Sequence, residues 1–269
     1  MAEARAAIVA AAARFGFSAT ARLDAELLMA HALGLSRDRL LLTLDDHAEP
    51  PGFAGLVARR ERHEPVAYIL GMRGFWTLDL AVGPGALVPR ADSETVIEAA
   101  LAHHAGRPPA TILDLGTGPG TLLLALLSEW PQAMGLGVDR SADALAYARI
   151  NAVPFADRVR FVRGDWDLAL VGRFDLIVTN PPYIGTGEEL AQEVAGHEPA
   201  EALFAGPDGL DDYRRLAPAI RRLLAPGGAA VIEIGWTQAD SVGDLLRAQG
   251  FAVAVHRDLG GRPRALLAT

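Results

Sequence analysis

From Thr111 to the end of the chain, short apolar runs rich in strand-forming residues alternate with segments of helical periodicity. This alternation predicts right-handed βαβ units and a mostly parallel sheet. The last two runs are separated only by a short turn, so they should form a hairpin that adds one antiparallel strand. We therefore predict an α/β domain. Its strand-like runs are 112–115, 134–138, 159–162, 174–179, 230–234, 251–256 and 264–267.

The chain before this region has a different pattern. Residues 2 to about 64 are rich in Ala and Leu, and Leu23, Leu27, Ala30 and Leu33 recur at helical spacing, which predicts a small bundle of short helices. Three arginines, Arg59, Arg60 and Arg62, come near its end. We interpret them as a solvated helix face; the alternative is contact with an acidic partner such as ribosome-associated RNA.

A hairpin is predicted between these two parts. Trp76, Leu78, Leu80 and Val82 alternate with more polar residues, which is the period of a half-buried strand. The run 83–85, Gly-Pro-Gly, is a turn signal, and residues 86–88 are predicted to return as the second strand.

Composition narrows the class of protein. The chain has no cysteine, which excludes disulfides and thiolate metal sites and is typical of a reducing compartment. No apolar run approaches the roughly 18 residues that span a membrane, and the start lacks a signal-peptide pattern, so we expect a cytoplasmic protein without a membrane partner. The net charge of −8 argues against stable binding of long nucleic acids. No spacing of His or carboxylate residues suggests a metal site.

A glycine-rich turn follows the first strand of the α/β region. Gly116, Thr117, Gly118, Pro119 and Gly120 open a helix, and such turns let a backbone approach a ligand closely. A simple tight turn is the alternative. Proline at 119 removes an N–H where a dinucleotide-binding turn would offer donors to pyrophosphate.

Two further positions fit a nucleoside without phosphates. Asp139 ends the next strand, where an acid can accept from ribose hydroxyls, although it could instead begin a helix beside the N-cap candidate Ser141. Trp166 and Asp165 follow the third strand and could cover an adenine face and accept from its amine; a Trp at the edge of the core is the alternative. Together these features favour S-adenosylmethionine over a nicotinamide cofactor.

The fourth strand of the α/β region ends in Asn180, Pro181, Pro182 and Tyr183. Prolines cannot continue a sheet, so this turn is held rigidly at the carboxyl end of a strand, where α/β proteins bind ligands. The Asn180 side-chain oxygen and the Pro181 carbonyl could both accept from one planar NH₂ group, and Tyr183 could stack on it. Methyl transfer from a sulfonium then depends on positioning and electrostatics. A proline-rich turn with an Asn cap is the alternative.

These motifs resemble the class I methyltransferases that modify planar nitrogens, and more closely the peptide chain release factor glutamine methyltransferases (HemK/PrmC). The resemblance covers nearly the whole chain. It rests on the two turns above and on 24–28, 65–71, 75–76, 87–94, 198–199, 206–210, 233–235 and Gln238. Pro119, Ala91 and Ser93 depart from the family pattern.

The resemblance implies a Rossmann-like seven-stranded catalytic domain with its last strand antiparallel, over 91–269. It also implies an N-terminal helical substrate-recognition domain over 1–73 and a linking β-hairpin over 74–90. The implied reaction moves a methyl group from S-adenosylmethionine, leaving S-adenosylhomocysteine, to the amide nitrogen of the glutamine in the Gly-Gly-Gln motif of release factors. We expect a monomer. The implied cofactor residues are Gly116, Thr117, Gly118, Pro119, Gly120, Asp139, Trp166 and Asn180, and those at the glutamine are Asn180, Pro181, Pro182 and Tyr183. Asp165 joins the predicted cofactor residues because of its place beside Trp166.

Three other functions remain open from the sequence. A sister family methylates a ribosomal-protein glutamine, but the Tyr-Ile-Leu-Gly run at 68–71 argues against it. Nucleic-acid amino methyltransferases share the Asn-Pro-Pro-Tyr turn, but no basic target-recognition domain is visible. A protein that binds S-adenosylmethionine without turnover would not need the intact turn at Asn180.

Overall fold

The computed structural model of the chain describes residues 3–168 and 170–269, so the predicted helical start at residue 2 lies outside them. The helices are α1 Glu3–Arg14, α2 Ala21–Leu33, α3 Arg37–Leu42, α4 Phe53–Glu61, α5 Val66–Leu70, α6 Glu94–His103, α7 Thr121–Glu129, α8 Ala142–Asn151, α9 Gln192–His197, α10 Asp211–Leu223 and α11 Ala239–Ala248. The strands are β1 Met72–Phe75, β2 Leu78–Ala81, β3 Thr111–Leu115, β4 Met134–Asp139, β5 Val159–Arg163, β6 Phe174–Thr179, β7 Leu224–Glu233, β8 Val253–Arg257 and β9 Pro263–Ala268. None of the helices in these ranges is both long and apolar enough to cross a membrane.

The chain divides into two compact units. The first contains the residues up to Met72 together with Leu190–His197, and the second contains Arg73–Glu189 and Glu198–Thr269. The first unit is therefore built from α1 to α5 and from α9, which is contributed by a later part of the chain.

The first unit has its own apolar core. Its fully buried side chains include Ile8 of α1, Phe15 directly after α1, Leu28 and Met29 of α2, and Leu40 of α3. The helix α2 ends at Gly34, whose backbone has φ of 67°, and α3 begins at Ser36, whose side chain accepts from the N–H of Arg39. Gly34 thus ends α2 as its C-cap, and Ser36 begins α3 as its N-cap, as these residue types often do.

The interpretation of Arg59, Arg60 and Arg62 as one solvated face is wrong for Arg60. Its side chain is 3% exposed and pairs with Asp24 Oδ2 at 2.9 Å and with Glu193 Oε2 at 2.8 Å. Its guanidinium also lies 4.9 Å from the ring centroid of Phe17. Buried charge requires such partners, and no local sequence pattern brings Glu193 next to Arg60.

The second unit contains a seven-stranded sheet with the order β5-β4-β3-β6-β7-β9-β8. Strand β9 is antiparallel to both β7 and β8, and the pairs from β5 to β7 are parallel. The predicted α/β sheet with one antiparallel strand is confirmed.

Helices cover both faces of this sheet. Ile112 of β3 packs on the side of α6 and α7, whereas its neighbour Leu113 packs on the side of α10 and α11. Successive side chains of a strand point to opposite faces of the sheet. Because the central strands are buried on both faces, their sequences are continuous apolar runs.

The strand order fixes where a ligand can bind. From β3 the chain proceeds to β4 and β5 on one side, and then to β6 and β7 on the other. A crevice forms at the carboxyl ends of strands where the order reverses in this way. The turns after β3, β4 and β6 all open into that crevice.

The predicted hairpin is displaced. The paired strands are β1 and β2, with Trp76 and Thr77 as the turn, and residues 86–88 are not a strand. Trp76 has φ of 55°, which Gly or Asn usually adopts in such a turn. Its N–H donates to Glu94 Oε1 at 3.0 Å and its indole N–H donates to Glu129 Oε1 at 2.7 Å, and these two bonds hold the unusual turn.

Candidate active site

A cleft lies in the second unit at the carboxyl ends of β3, β4, β5 and β6. It brings together most of the residues that the sequence singled out, from the ends of four separate strands. Those lining it are Gly116, Thr117, Gly118, Pro119, Asp139, Asp165, Trp166, Asn180 and Pro182. Gly120, Pro181 and Tyr183 lie in the same turns but are not among the lining residues of the described chain.

The glycine-rich turn has no backbone donor left for a phosphate. Its three glycines all have positive φ, between 56° and 88°, so the conformation requires them. The N–H groups of Gly116 and Thr117 donate to the carbonyl of Val138, that of Gly118 to Asp139, and that of Gly120 to Thr117. Pro119 has no N–H. The turn therefore suits a ligand without a pyrophosphate.

Asp139 is held by the backbone on both sides. Its Oδ2 accepts from the N–H of Gly118 at 2.8 Å, and its Oδ1 accepts from the N–H of Ser141 at 2.8 Å. Burial is the main cause that raises the pKa of this carboxyl. A carboxylate has about four acceptor sites, so each oxygen can still accept from a ribose hydroxyl.

Trp166 packs directly against the glycine turn. A Cβ on Gly116 would lie only 2.9 Å from Cζ3 of the indole, so a larger residue at 116 would displace the ring. The indole N–H donates to Asp212 Oδ1 at 3.0 Å, and the backbone of Trp166 has φ of 51°. A bulky residue in that conformation is strained, and such strain is typical of ligand sites. Asp165 also lines the cleft, but its Oδ2 pairs with Arg215 at 2.7 Å.

Asp114 is a site residue that the sequence reasoning missed. It is fully buried near the end of β3, and it lines the cleft. Its Oδ2 accepts from the Thr117 hydroxyl at 2.7 Å, whereas its Oδ1 has no hydrogen-bond partner within the described residues. Burial raises the pKa of Asp114 to about 7. The sequence does contain a signal for it, namely an acid inside an otherwise apolar strand. Because acids are rarely buried without a partner, such an acid indicates a binding partner or a functional role.

Asn180 is oriented by a residue far away in sequence. Its side-chain NH₂ donates to the hydroxyl of Ser93 at 3.3 Å, which leaves its oxygen as an acceptor. Ser93 is buried and lines the same cleft, although no role was predicted for it. Within the described chain, the carbonyl of Pro181 accepts no hydrogen bond. Two acceptors are thus available at this turn.

Tyr183 is fixed by its backbone. Its carbonyl accepts from the side-chain NH₂ of Gln238 at 3.0 Å. Burial, reinforced by the charge of Glu233, raises the pKa of Tyr183 to about 12. Glu233 is itself buried, and burial raises its pKa to about 7 against an opposing hydrogen bond from Ser93. The Tyr183 hydroxyl is therefore neutral near pH 7.

Two buried side chains hold the walls of the cleft. Glu198 accepts from the N–H of Val88 at 3.1 Å and from the guanidinium of Arg90 at 2.5 Å, which fixes the wall at 85–90. Asn151 bonds the backbone of Ala81 in both directions and donates to the carbonyl of Pro119 at 2.9 Å. The described residues contain no group of three His, Cys, Asp or Glu side chains that could hold a metal ion.

The chain is similar to known proteins over most of its length. A family model described as "PrmC N-terminal domain" matches residues 6–71, and one described as "Methyltransferase domain" matches residues 108–252. A release factor glutamine methyltransferase from Rhodospirillum rubrum is 47% identical over 256 residues, covering 92% of this chain and 78% of that protein. Another from Caulobacter vibrioides is 41% identical over 263 residues, covering 91% and 88%.

Among solved structures, a methyltransferase from Pyrococcus furiosus superposes with a TM-score of 0.53 at 17% identity, over 80% of this chain and 98% of that one. This likeness shows the methyltransferase fold. Because relatives 41% and 47% identical match over more than nine tenths of its length, this chain belongs to the release factor glutamine methyltransferase family.

Proposed function

We propose that this protein transfers a methyl group from S-adenosylmethionine to the side-chain amide nitrogen of the glutamine in the Gly-Gly-Gln motif of peptide chain release factors. The observation that carries the proposal is the shared cleft: Asn180 opens into the same space as the glycine turn, Asp139 and Trp166. The names of the curated relatives support the same substrate. Release factors act on ribosomes, so this reaction belongs in the cytoplasm.

The cleft fits S-adenosylmethionine by the chemistry of its walls. Trp166 offers a flat surface to adenine, Asp139 offers acceptor sites to the ribose, and the turn at 116–120 has no N–H groups that a phosphate would need. The unpartnered Oδ1 of Asp114 fits the ammonium of a methionine moiety, which would supply the missing bond and favour the ionised carboxyl. When bound, this cofactor supplies an activated methyl carbon on a sulfonium.

The residues of the Asn180 turn would bind and orient the acceptor amide. The Asn180 oxygen and the Pro181 carbonyl each accept one N–H of the glutamine side chain, and this fixes the direction in which the nitrogen points. Positive charge that grows on the nitrogen is stabilised by the same two oxygens. Alignment of this kind contributes on the order of 7–11 kcal/mol to well-oriented reactions. Tyr183 frames the amide as a neutral surface.

The first unit, with residues up to Met72 and Leu190–His197, would serve in recognition of the release factor. Its match to a domain described for this family supports that division of labour.

Mass spectrometry of a release factor incubated with the protein and S-adenosylmethionine tests the proposal. We expect one added methyl group on the glutamine of the Gly-Gly-Gln motif. Asn180→Ala should lower the rate by roughly 100- to 1,000-fold, as expected for loss of one preorganised polar group, with the fold retained. An unmethylated release factor, or transfer to a nucleic-acid amine instead, would contradict the assignment.

A further inference from the structure

An exposed aromatic side chain follows the end of β7. Trp236 is 56% exposed, and the guanidinium of Arg262 lies 5.6 Å from the centroid of its ring. Arg262 belongs to the turn between β8 and β9, and Leu259 of the same turn is completely exposed. We call Trp236 and Arg262 the Trp236 surface. Tryptophan is enriched at interfaces, so a tryptophan exposed on a surface is typical of a binding site.

The strand order brings this surface to the reaction end of the sheet. Strands β6, β7 and β9 are neighbours, and β9 runs in the opposite direction, with Ala265 paired to Glu233. The carboxyl end of β6, the carboxyl end of β7 and the start of β9 therefore lie along one edge. They carry Asn180, Trp236 and the turn with Arg262, respectively.

The backbone beside Trp236 is joined to the turn that contains Tyr183. The N–H of Gly235 donates to the side-chain oxygen of Gln238 at 3.0 Å, and the side-chain NH₂ of Gln238 donates to the carbonyl of Tyr183 at 3.0 Å. A Cβ on Gly235 would lie 3.4 Å from Cδ2 of Tyr183, so this glycine packs against the tyrosine ring. The backbone that leads into Trp236 therefore packs against Tyr183, which would frame the acceptor amide.

We propose that the Trp236 surface binds the polypeptide segment that carries the methyl-accepting glutamine. This inference rests on the proposed function and names the part of the acceptor that the sheet edge would hold. A glutamine whose carboxamide reaches Asn180 keeps its main chain within one side-chain length, so that chain must cross the edge of the sheet. Arg262 covers part of the indole, and the exposed remainder offers a flat apolar face to a peptide. Tryptophan is the residue type that most often dominates such contacts.

Steady-state kinetics of the full-length protein with a release factor as acceptor test this. Trp236→Ala should raise the KM for the release factor about 10- to 30-fold, the size expected when an interfacial tryptophan is lost. The kcat at saturating acceptor and the Kd for S-adenosylmethionine should change less than about twofold. Trp236→Phe keeps an aromatic face and should recover most of the affinity.

A matched control lies beside β5, the outermost strand on the other side of the sheet from β8 and β9. Val153, which is 75% exposed and precedes β5, is also a large apolar side chain on the surface, and Val153→Ala should leave every parameter unchanged. Thermal unfolding checks that each variant is folded, which the exposure of both side chains leads us to expect.

Each other outcome overturns the inference in a distinct way. If the wild-type protein methylates the release factor and Trp236→Ala leaves the KM unchanged, the inference fails while the proposed function stands. If Trp236→Ala weakens binding of S-adenosylmethionine as much as that of the acceptor, Trp236 serves the cofactor instead. If only a nucleic-acid acceptor responds to Trp236→Ala, the bound segment is not a polypeptide. A wild-type protein that leaves the release factor unmethylated overturns both.

Discussion

At the scale of single residues, the cleft depends on acids that are buried beside it. Asp114 and Glu233 each have a carboxyl oxygen without a partner in the described residues, and burial raises the pKa of each to about 7. A folded protein holds these protons at a pH where the unfolded chain has released them. The stability that they contribute is therefore present at low pH and is lost as the pH rises through about 7.

We expect Asp114→Asn to flatten the dependence of stability on pH. In the wild type the free energy of unfolding should fall between pH 5 and pH 8, because the folded protein keeps the Asp114 proton at a pH where the unfolded chain has lost it. Each unit by which the pKa is raised corresponds to about 1.4 kcal/mol. The variant lacks this titration, so its decline over the same range should be smaller by about 2–3 kcal/mol. Urea denaturation at several pH values measures both curves. Equal slopes would mean that Asp114 is ionised in the folded protein.

Most residues of the candidate site could be predicted from the sequence, but the contacts that orient their side chains could not. The turns at 116–120 and 180–183 could be predicted because Gly and Pro have strong local effects on the backbone. The bond between Asn180 and Ser93 joins residues 87 positions apart, so no local pattern reports it. Asp114 was missed for a related reason. Its candidate role depends on its burial and on the carboxyl oxygen that has no hydrogen-bond partner within the described residues.

At the scale of secondary-structure elements, one side chain links three of them. Asn151 is the last residue of α8, and it bonds both backbone groups of Ala81 in β2 and the carbonyl of Pro119 in the turn after β3. The glycine-rich turn at 116–120 is thereby connected to the hairpin.

Asn151→Ala should lower the free energy of unfolding by about 2–4 kcal/mol, because several backbone groups would lose their partner in a largely buried place. Asn151→Asp is the matched comparison, since it keeps the acceptor for the N–H of Ala81 but cannot donate to the two carbonyls. We expect its stability to lie below that of the wild type as well. Chemical denaturation gives the values, and a loss below about 0.5 kcal/mol in Asn151→Ala would contradict the linking role.

The same elements show why the strands of the large sheet were predictable while the hairpin was not. The central strands, such as β3 and β6, are buried on both faces, so their apolar runs stand out. The β1–β2 turn has Trp76 at a positive φ, and long-range bonds from Glu94 and Glu129 hold it there. The Gly-Pro-Gly run at 83–85 does form a turn, but the residues after it bond to Glu198 and not to a strand.

At the scale of the whole molecule, the first unit depends on a buried ion pair. Arg60 is buried and pairs with the buried Asp24 and with the partly exposed Glu193, so its removal leaves the buried Asp24 carboxylate with only the hydroxyls of Ser18 and Thr20 as partners. Arg60→Ala should destabilise the first unit by about 3–5 kcal/mol.

Arg59→Ala provides the control, because its neighbouring pair with Glu64 is partly exposed and should contribute no more than about 1 kcal/mol. Hydrogen exchange distinguishes the units: protection should fall in α2 and α4 of the Arg60→Ala variant and remain in β3 and β6. Equal effects of the two substitutions would show that Arg60 contributes no more than a surface arginine.

The path of the chain through α9 limits how the molecule can be divided. The segment that leaves the Asn180 turn supplies Leu190–His197 to the first unit and returns as Glu198, which fixes the wall of the cleft. A fragment that ends near residue 72 would keep Arg60 but lose Glu193. Neither unit can be excised by a single cut or exchanged as one continuous cassette, so gene fusions and domain swaps within this family must carry both pieces together.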